Sequence, residues 1–134
     1  MSIKVTLFYN DPKIFKYFKI IFEKSGLGVA GFENFNDIIN GLDKNGQVNA
    51  DVAVIHLGLE VSGKIGDETK FYSPPQIIDQ LLQEETRRIL VSGHNLSYVK
   101  NACFEAGADH YFNNTRVNSD WFIDTIKRGK VSQE

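Results

Sequence analysis

The chain has 134 residues, the usual size of one domain, and its 42% hydrophobic and 24% charged residues are ordinary for a folded protein. This composition argues against a disordered chain, and no apolar stretch is long enough to cross a bilayer. The 15 basic and 17 acidic side chains leave a net charge of −2, which argues against a DNA-binding surface spread over the whole domain.

The termini and the cysteine content indicate where the protein works. One cysteine, Cys103, cannot form an internal disulfide, which is typical of a reducing compartment. The first residues, MSIKVTLFYNDP, lack the long hydrophobic core and the small-residue cleavage site of a signal peptide. We therefore expect a cytoplasmic protein with one domain over residues 1–130 and a loose tail at residues 131–134.

The first half of the chain is predicted to form three strands and two helices. Pro12 suits the first turn of a helix, because its missing N–H costs nothing there, and Gly26 closes that helix. DVAVIHL is a nearly continuous apolar run, typical of a strand that is covered on both faces. The predicted strands are residues 3–9, 28–32 and 51–57, and the predicted helices are residues 13–24 and 36–45.

The segment GLEVSGKIGDETKFYSPP follows the third strand and is predicted as a loop. A loop of this length is uncommon in a compact domain and is usually functional or disordered. Phe71, Tyr72 and Pro74 give it apolar side chains to bury. We expect it to pack over the His56 end of the sheet as a lid, or to form part of a partner's docking surface.

The second half of the chain is predicted to complete an α/β domain. The predicted strands are residues 88–93 and 109–114, and the predicted helices are residues 75–85, 95–107 and 119–129. Strands that alternate with helices indicate a parallel sheet with helices on both faces. Ligands of such sheets collect at the carboxyl ends of the strands. These ends hold Tyr9-Asn10-Asp11, His56, Ser92-Gly93 and Asn113-Asn114-Thr115.

Three stretches carry a resemblance to the receiver domains of two-component response regulators. ILVSG and VKNACFEAGADHYFNN are similar to the family's fourth strand, fourth helix and fifth strand, and DVAVIHLGL resembles its third strand and the next turn. Pro12 and Gly26 match the family's first helix without a gap. The resemblance covers nearly the whole chain. It implies the receiver fold, a flavodoxin-like, doubly wound α/β sheet of five parallel strands in the order 2-1-3-4-5, and a role in bacterial signal transduction.

The same resemblance implies a degenerate phosphorylation pocket. Receivers transfer a phosphoryl group to an aspartate at the end of the third strand, beside Mg²⁺ held by two acidic residues after the first. A hydroxyl after the fourth strand and a lysine after the fifth contact the phosphate. The resemblance places His56 at the phosphoacceptor, Tyr9 and Asn10 at the acid pair, Ser92 at the hydroxyl and Asn114 at the lysine. Only Ser92 keeps the family's chemistry.

The altered pocket leads to a functional prediction. A shift of the first loop by one position would put Asn10 and Asp11 at the acid sites, but it breaks the spacing to Pro12. We therefore expect no catalytic residue, no metal and no cofactor, and a phosphorylation-independent, receiver-like module for protein–protein interaction. Two alternatives stay open: a phosphoacceptor that uses Asp11 or His56, and a small-ligand sensor with residues 60–74 as a lid.

Partner surfaces are expected in two places. Tyr111 stands where the family has a switch aromatic, although a half-buried tyrosine with a purely structural role is an equally good interpretation. Phe71 and Tyr72 are candidates for a partner surface or the lid. The resemblance implies another signalling protein as the partner, or a homodimer through the face of the fourth helix, fifth strand and fifth helix. We expect no nucleic-acid or membrane partner, and we interpret His56 as a polar cap hydrogen-bonded to Ser92, Asn10 or backbone.

Overall fold

A computed structural model describes six stretches of the chain, residues 3–9, 11–32, 35–59, 61–92, 97–113 and 120–128. The tail expected at residues 131–134 lies outside them. They form the strands β1 (Lys4–Phe8), β2 (Gly28–Phe32), β3 (Val52–His56), β4 (Val61–Ile65), β5 (Glu68–Tyr72), β6 (Arg87–Ser92) and β7 (His110–Asn113). Five of these strands form one parallel sheet in the order β2-β1-β3-β6-β7. Because β6 and β7 are the fourth and fifth strands of that sheet, the predicted order 2-1-3-4-5 is confirmed.

Helices cover both faces of the sheet. They are α1 (Pro12–Lys24), α2 (Phe35–Asn40), α3 (Pro74–Gln76) with a π-helical continuation at Ile77–Leu81, α4 (Ser97–Ala106) and α5 (Asp120–Arg128). The buried side chains form two clusters, one containing residues of α1 and α5 and the other containing residues of α2, α4 and the π-helical turn. Within the described residues, no helix has the length and apolar character needed to span a membrane.

The central strand β3 explains the continuous apolar run in the sequence. Val52 and Val54 belong to the cluster on the α1 and α5 face, whereas Ala53 and Ile55 belong to the cluster on the other face. All four side chains are buried. Because successive residues of a strand point to opposite faces, a strand covered by helices on both sides is apolar at every position.

The connection after β3 is a β-hairpin, so the predicted loop is wrong. Strands β4 and β5 are antiparallel, with Val61 opposite Tyr72 and Ile65 opposite Glu68. The turn between them is Gly66-Asp67, and Gly66 has φ of 64°, a conformation that glycine adopts without steric cost. Val61 and Tyr72 at the base are buried in the core cluster next to α2, α4 and the π-helical turn.

The helices predicted over residues 36–45 and 75–85 are both shorter than expected. Residues Ile77–Leu81 adopt a π-helical turn, and Leu82 is already extended. Both helices stop where the chain pairs with Val48. This residue forms one isolated β-bridge with Leu42, after the first helix, and another with Leu82, after the second. The backbone N–H of Val48 donates to the carbonyl of Leu81 at 2.7 Å. This bridge is a tertiary contact that helical periodicity does not encode.

Candidate functional site

Tyr9 and His56 come together at the carboxyl end of the sheet. Tyr9 follows β1 and His56 ends β3, and these strands pair with Phe8 opposite Ile55. The next residues along each strand are therefore neighbours. The two rings stack, with centroids 4.3 Å apart and planes 18° apart. Tyr9 is only 4% exposed, and its ring also lies 5.5 Å from that of Phe18 on α1.

The backbone around His56 fixes the position of its side chain. The N–H of Leu57 donates to the carbonyl of Val91 at 3.0 Å, and the N–H of Leu59 donates to the carbonyl of His56 at 3.1 Å. Gly58 lies against the imidazole, since a Cβ built at Gly58 would be 3.0 Å from the His56 Cε1 atom. His56 is thus held between an aromatic ring and a glycine. The polar-cap interpretation did not include this stacking.

Asp11 has a structural role at the start of α1. Its backbone is extended, and its carboxylate accepts a hydrogen bond from the N–H of Lys13 at 3.0 Å. This is an N-cap, which satisfies one of the donors left free at a helix start. Pro12 follows at the first helical position, as predicted. Asn10, the other residue considered for the acid pair, lies outside the described residues.

Ser92 and Tyr111 are close to each other on the neighbouring strands. Ser92 ends β6, is fully buried, and follows Val91, the residue that pairs with His56. The Tyr111 hydroxyl donates to the Ser92 carbonyl at 3.4 Å, and the Lys100 ammonium lies 4.8 Å from the centre of the Tyr111 ring. Tyr111 is half-buried, with its hydroxyl bonded to Ser92 and its ring in contact with Lys100. Asn114, expected where the family has its lysine, lies outside the described residues.

The described side chains do not fit a Mg²⁺ ion. A hard cation requires carboxylate or carbonyl oxygens, often with bound water. Tyr9 and His56 instead present ring faces to each other, and Asp11 caps a helix. Among the residues described by the structure, no group of three or more histidine, cysteine, aspartate or glutamate side chains could hold a metal ion.

An apolar cavity of about 330 Å³ opens beside this site. It lies between the turn after β3, the start of α3 and α4. Its lining residues are Leu57, Gly58, Leu59, Ser73, Pro74, Pro75, Tyr98, Val99 and Ala102. From residues 60–74, the segment expected to form a lid, Ser73 and Pro74 border the cavity, but neither Phe71 nor Tyr72 is among the lining residues. Phe71 is 48% exposed, whereas Tyr72 is buried at the base of the hairpin.

Comparison with known proteins identifies the fold. No family model matches the sequence, and no curated protein matches it. The structure of the response regulator DrrB from Thermotoga maritima does match, with a TM-score of 0.64, 22% identity, and coverage of 97% of this chain and 55% of DrrB. A BeF3-activated DrrB receiver domain matches with a TM-score of 0.66, 23% identity, and coverage of 96% and 97%. The chain has the receiver fold.

A second response regulator also matches nearly all of this chain with only part of its own length. The response regulator RcsB from Salmonella typhimurium matches with a TM-score of 0.71 and 16% identity, over 99% of this chain and 62% of RcsB. The chain thus spans about half to two thirds of the length of the two full regulators. At these identities the likeness establishes the fold, and the chemistry of the receiver-like domain depends on its own residues.

Proposed function

We propose that this receiver-like domain is a phosphorylation-independent protein–protein interaction module of bacterial signal transduction, and not an enzyme. It would act in the cytoplasm on another signalling protein. The observation that carries the proposal is the stacked pair of Tyr9 and His56 at the carboxyl end of the sheet. Two aromatic rings lie where phosphotransfer would need carboxylates.

The chemistry of the stacked pair supports this proposal. Phosphoryl transfer relies on positioning and on cations that neutralise the charge developing on the phosphoryl oxygens. Tyr9 is a buried phenol and offers no carboxylate for such a cation. Asp11 is the nearest described carboxylate along the first loop, and it is already bonded to the N–H of Lys13. A phosphate here would meet the ring of Tyr9 in place of a carboxylate that holds a cation.

Intact-mass spectrometry after treatment with a small acyl phosphate and Mg²⁺ tests the proposal. We expect no added phosphate on the wild-type chain, while the DrrB receiver domain, solved in a BeF3-activated form, serves as the positive control. A phosphate mapped to Asp11 or His56 would support the phosphoacceptor alternative. Acid lability separates the two sites, because a phosphohistidine is lost in acid more readily than an acyl phosphate.

Partner binding supplies the second arm of the test. A partner recovered by co-purification from the native host should bind equally well with and without the acyl phosphate. Tyr9→Phe, which keeps the ring stack, should not change that affinity. A partner that binds only after phosphodonor treatment would contradict a phosphorylation-independent module.

The apolar cavity favours a second candidate function, a small-ligand sensor. Its volume of about 330 Å³ is at the lower end of the range for ligand pockets, and its lining is mostly apolar, with Ser73 among the lining residues. Small apolar fragments should then shift the amide resonances of Leu57 and Val99. Ala102→Phe, which fills the cavity, should abolish those shifts, whereas a screen without any such shift removes this candidate.

A further inference from the structure

In the hairpin of β4 and β5, strand β4 lies beside α2. Strand β5 pairs with β4 and with no other strand in the described part of the chain, so its outer edge, the free edge, is not paired with any described strand. Ile65 and Glu68 flank the two-residue turn, so they form a hydrogen-bonded pair. Hydrogen-bonded and non-hydrogen-bonded pairs alternate along an antiparallel ladder, so Thr69 and Phe71 belong to non-hydrogen-bonded pairs with β4. The N–H and C=O groups of Thr69 and Phe71 therefore point away from β4, to the free edge.

This edge is exposed and has little support of its own. Thr69 is exposed, and the Phe71 ring is 48% exposed. A two-stranded hairpin is marginally stable unless a third strand or a helix covers it. A free row of backbone donors and acceptors is also a template for another strand. Among the described side chains of the hairpin, Val61 and Tyr72 at its base are the ones that belong to the core.

We propose that the free edge of β5 pairs with β5 of a second copy of this chain, so that two hairpins form one four-stranded antiparallel sheet. The two-fold axis passes beside Thr69, which lies opposite Thr69 of the second copy. This interface goes beyond the proposed function and does not depend on the state of the pocket at His56.

The charges on β5 select this register. Glu68 and Lys70 lie on one face of the strand, where their side chains already form an ion pair at 3.2 Å. With Thr69 at the axis, Glu68 of each chain lies opposite Lys70 of the other, which gives two symmetric ion pairs. An axis at Lys70 would place two lysines opposite each other, which is unfavourable. An axis at Phe71 would require pairing by Ser73, where α3 is already capped.

The exposed aromatic ring gains a contact in the same register. Phe71 and Thr69 lie on the other face of β5. Diagonal neighbours across an antiparallel pair are within reach of aromatic side chains. The Phe71 ring would therefore pack on the Thr69 methyl group of the second copy, and the pairing would cover part of a ring that is 48% exposed in one chain.

Sedimentation equilibrium of E68K, K70E and their equimolar mixture tests the proposal. Each single variant places like charges opposite each other in its own dimer, so dimerisation should weaken about tenfold. In the mixture, two cations of one chain lie opposite two carboxylates of the other, and dimerisation should recover. Within each chain the pair at positions 68 and 70 stays repulsive, so recovery reports contacts between chains.

Controls separate this edge from other surfaces. K64E makes the same charge change as K70E at an exposed position of β4, the strand beside α2, and should leave dimerisation unchanged. Thr69→Pro removes an N–H that β4 does not use, so it should give a monomer with an unchanged melting temperature. Thr69→Cys should cross-link the dimer on oxidation more readily than Lys70→Cys. A wild-type chain that stays monomeric at all concentrations, or a mixture that does not recover, overturns the proposal.

Discussion

At the residue scale, the ring of Tyr9 stabilises the carboxyl end of the sheet by stacking on His56 and packing near Phe18. Tyr9→Ala removes a ring that is 4% exposed, and we expect it to lower the free energy of unfolding by about 3 kcal/mol. Tyr17→Ala is the matched control on α1, because Tyr17 is 45% exposed, and its effect should stay within about 0.5 kcal/mol. Equal losses in urea unfolding would show that the Tyr9 ring is not a core element.

The same side chains determine the response to magnesium. Because neither Tyr9 nor His56 offers a carboxylate, millimolar Mg²⁺ should leave both the melting temperature and the fluorescence of Trp121 unchanged. Thermal denaturation with and without the ion measures this. A saturable shift that Asp11→Asn removes would make Asp11 a ligand and would support the shifted alignment of the first loop.

Burial raises the pKa of the Cys103 thiol to about 12, from an ordinary value of 9.0. The folded chain therefore holds this proton more tightly than the unfolded chain. The stability from this group is complete below pH 9.0 and is lost as the pH rises toward about 12. We expect the wild type to lose stability over this range more steeply than Cys103→Ala, measured by urea unfolding at each pH. Identical slopes would contradict a buried thiol.

At the scale of elements, Val61 and Tyr72 anchor the hairpin, and the rest of it extends from them. The two residues lie directly opposite each other, so a two-residue Asn-Gly turn can join them. Replacement of residues 62–71 by Asn-Gly should leave the melting temperature within a few degrees of the wild type. Tyr72→Ala should instead cost about 3 kcal/mol, because its ring is buried. If the shortened chain unfolds, the hairpin is part of the core.

The hairpin also shows what the sequence contained and what it did not. Gly66-Asp67 lies between VSGKI and ETKFY, and a Gly-Asp pair between two strand-like runs is a hairpin signal, so the sequence contained the information for this turn. The early end of the helix at Leu81 is different. It depends on the bridge from Val48 to Leu82, two residues far apart in the chain, so local periodicity could not predict it.

At the scale of the whole molecule, the apolar patterns of the chain predicted the strands of the main sheet, and the resemblance to receiver domains supplied their order. The positions of Tyr9, His56 and Ser92 at strand ends also followed from the predicted strands. Their side-chain arrangement did not. The stacking of His56 on Tyr9 depends on the register of β1 on β3 and on the packing of α1, which sequence spacing leaves undetermined. Residues at the carboxyl ends of neighbouring parallel strands are nonetheless adjacent, and that rule would have pointed to this pair.

We expect no transmission from the pocket at His56 across the molecule. If Tyr111 acted as a switch aromatic, a ligand at the end of β3 would alter α4 and β7. Here the Tyr111 hydroxyl is already bonded to the Ser92 carbonyl, and Lys100 lies over the Tyr111 ring. We therefore expect Mg²⁺ with BeF3 to leave amide hydrogen exchange unchanged over residues 97–113.

A designed variant supplies the matched control for this experiment. Tyr9→Asp with His56→Asp introduces two carboxylates at neighbouring strand ends, where we expect a hard cation and an anionic phosphate mimic to bind together. Exchange should then slow around β1 and β3 in the variant, and stay unchanged in the wild type. Slower exchange at Tyr111 in the wild type would mean that its pocket binds the phosphate mimic without carboxylates at positions 9 and 56. The Tyr9–His56 stack would then be a gate to the pocket, because the rings would have to separate to admit the anion.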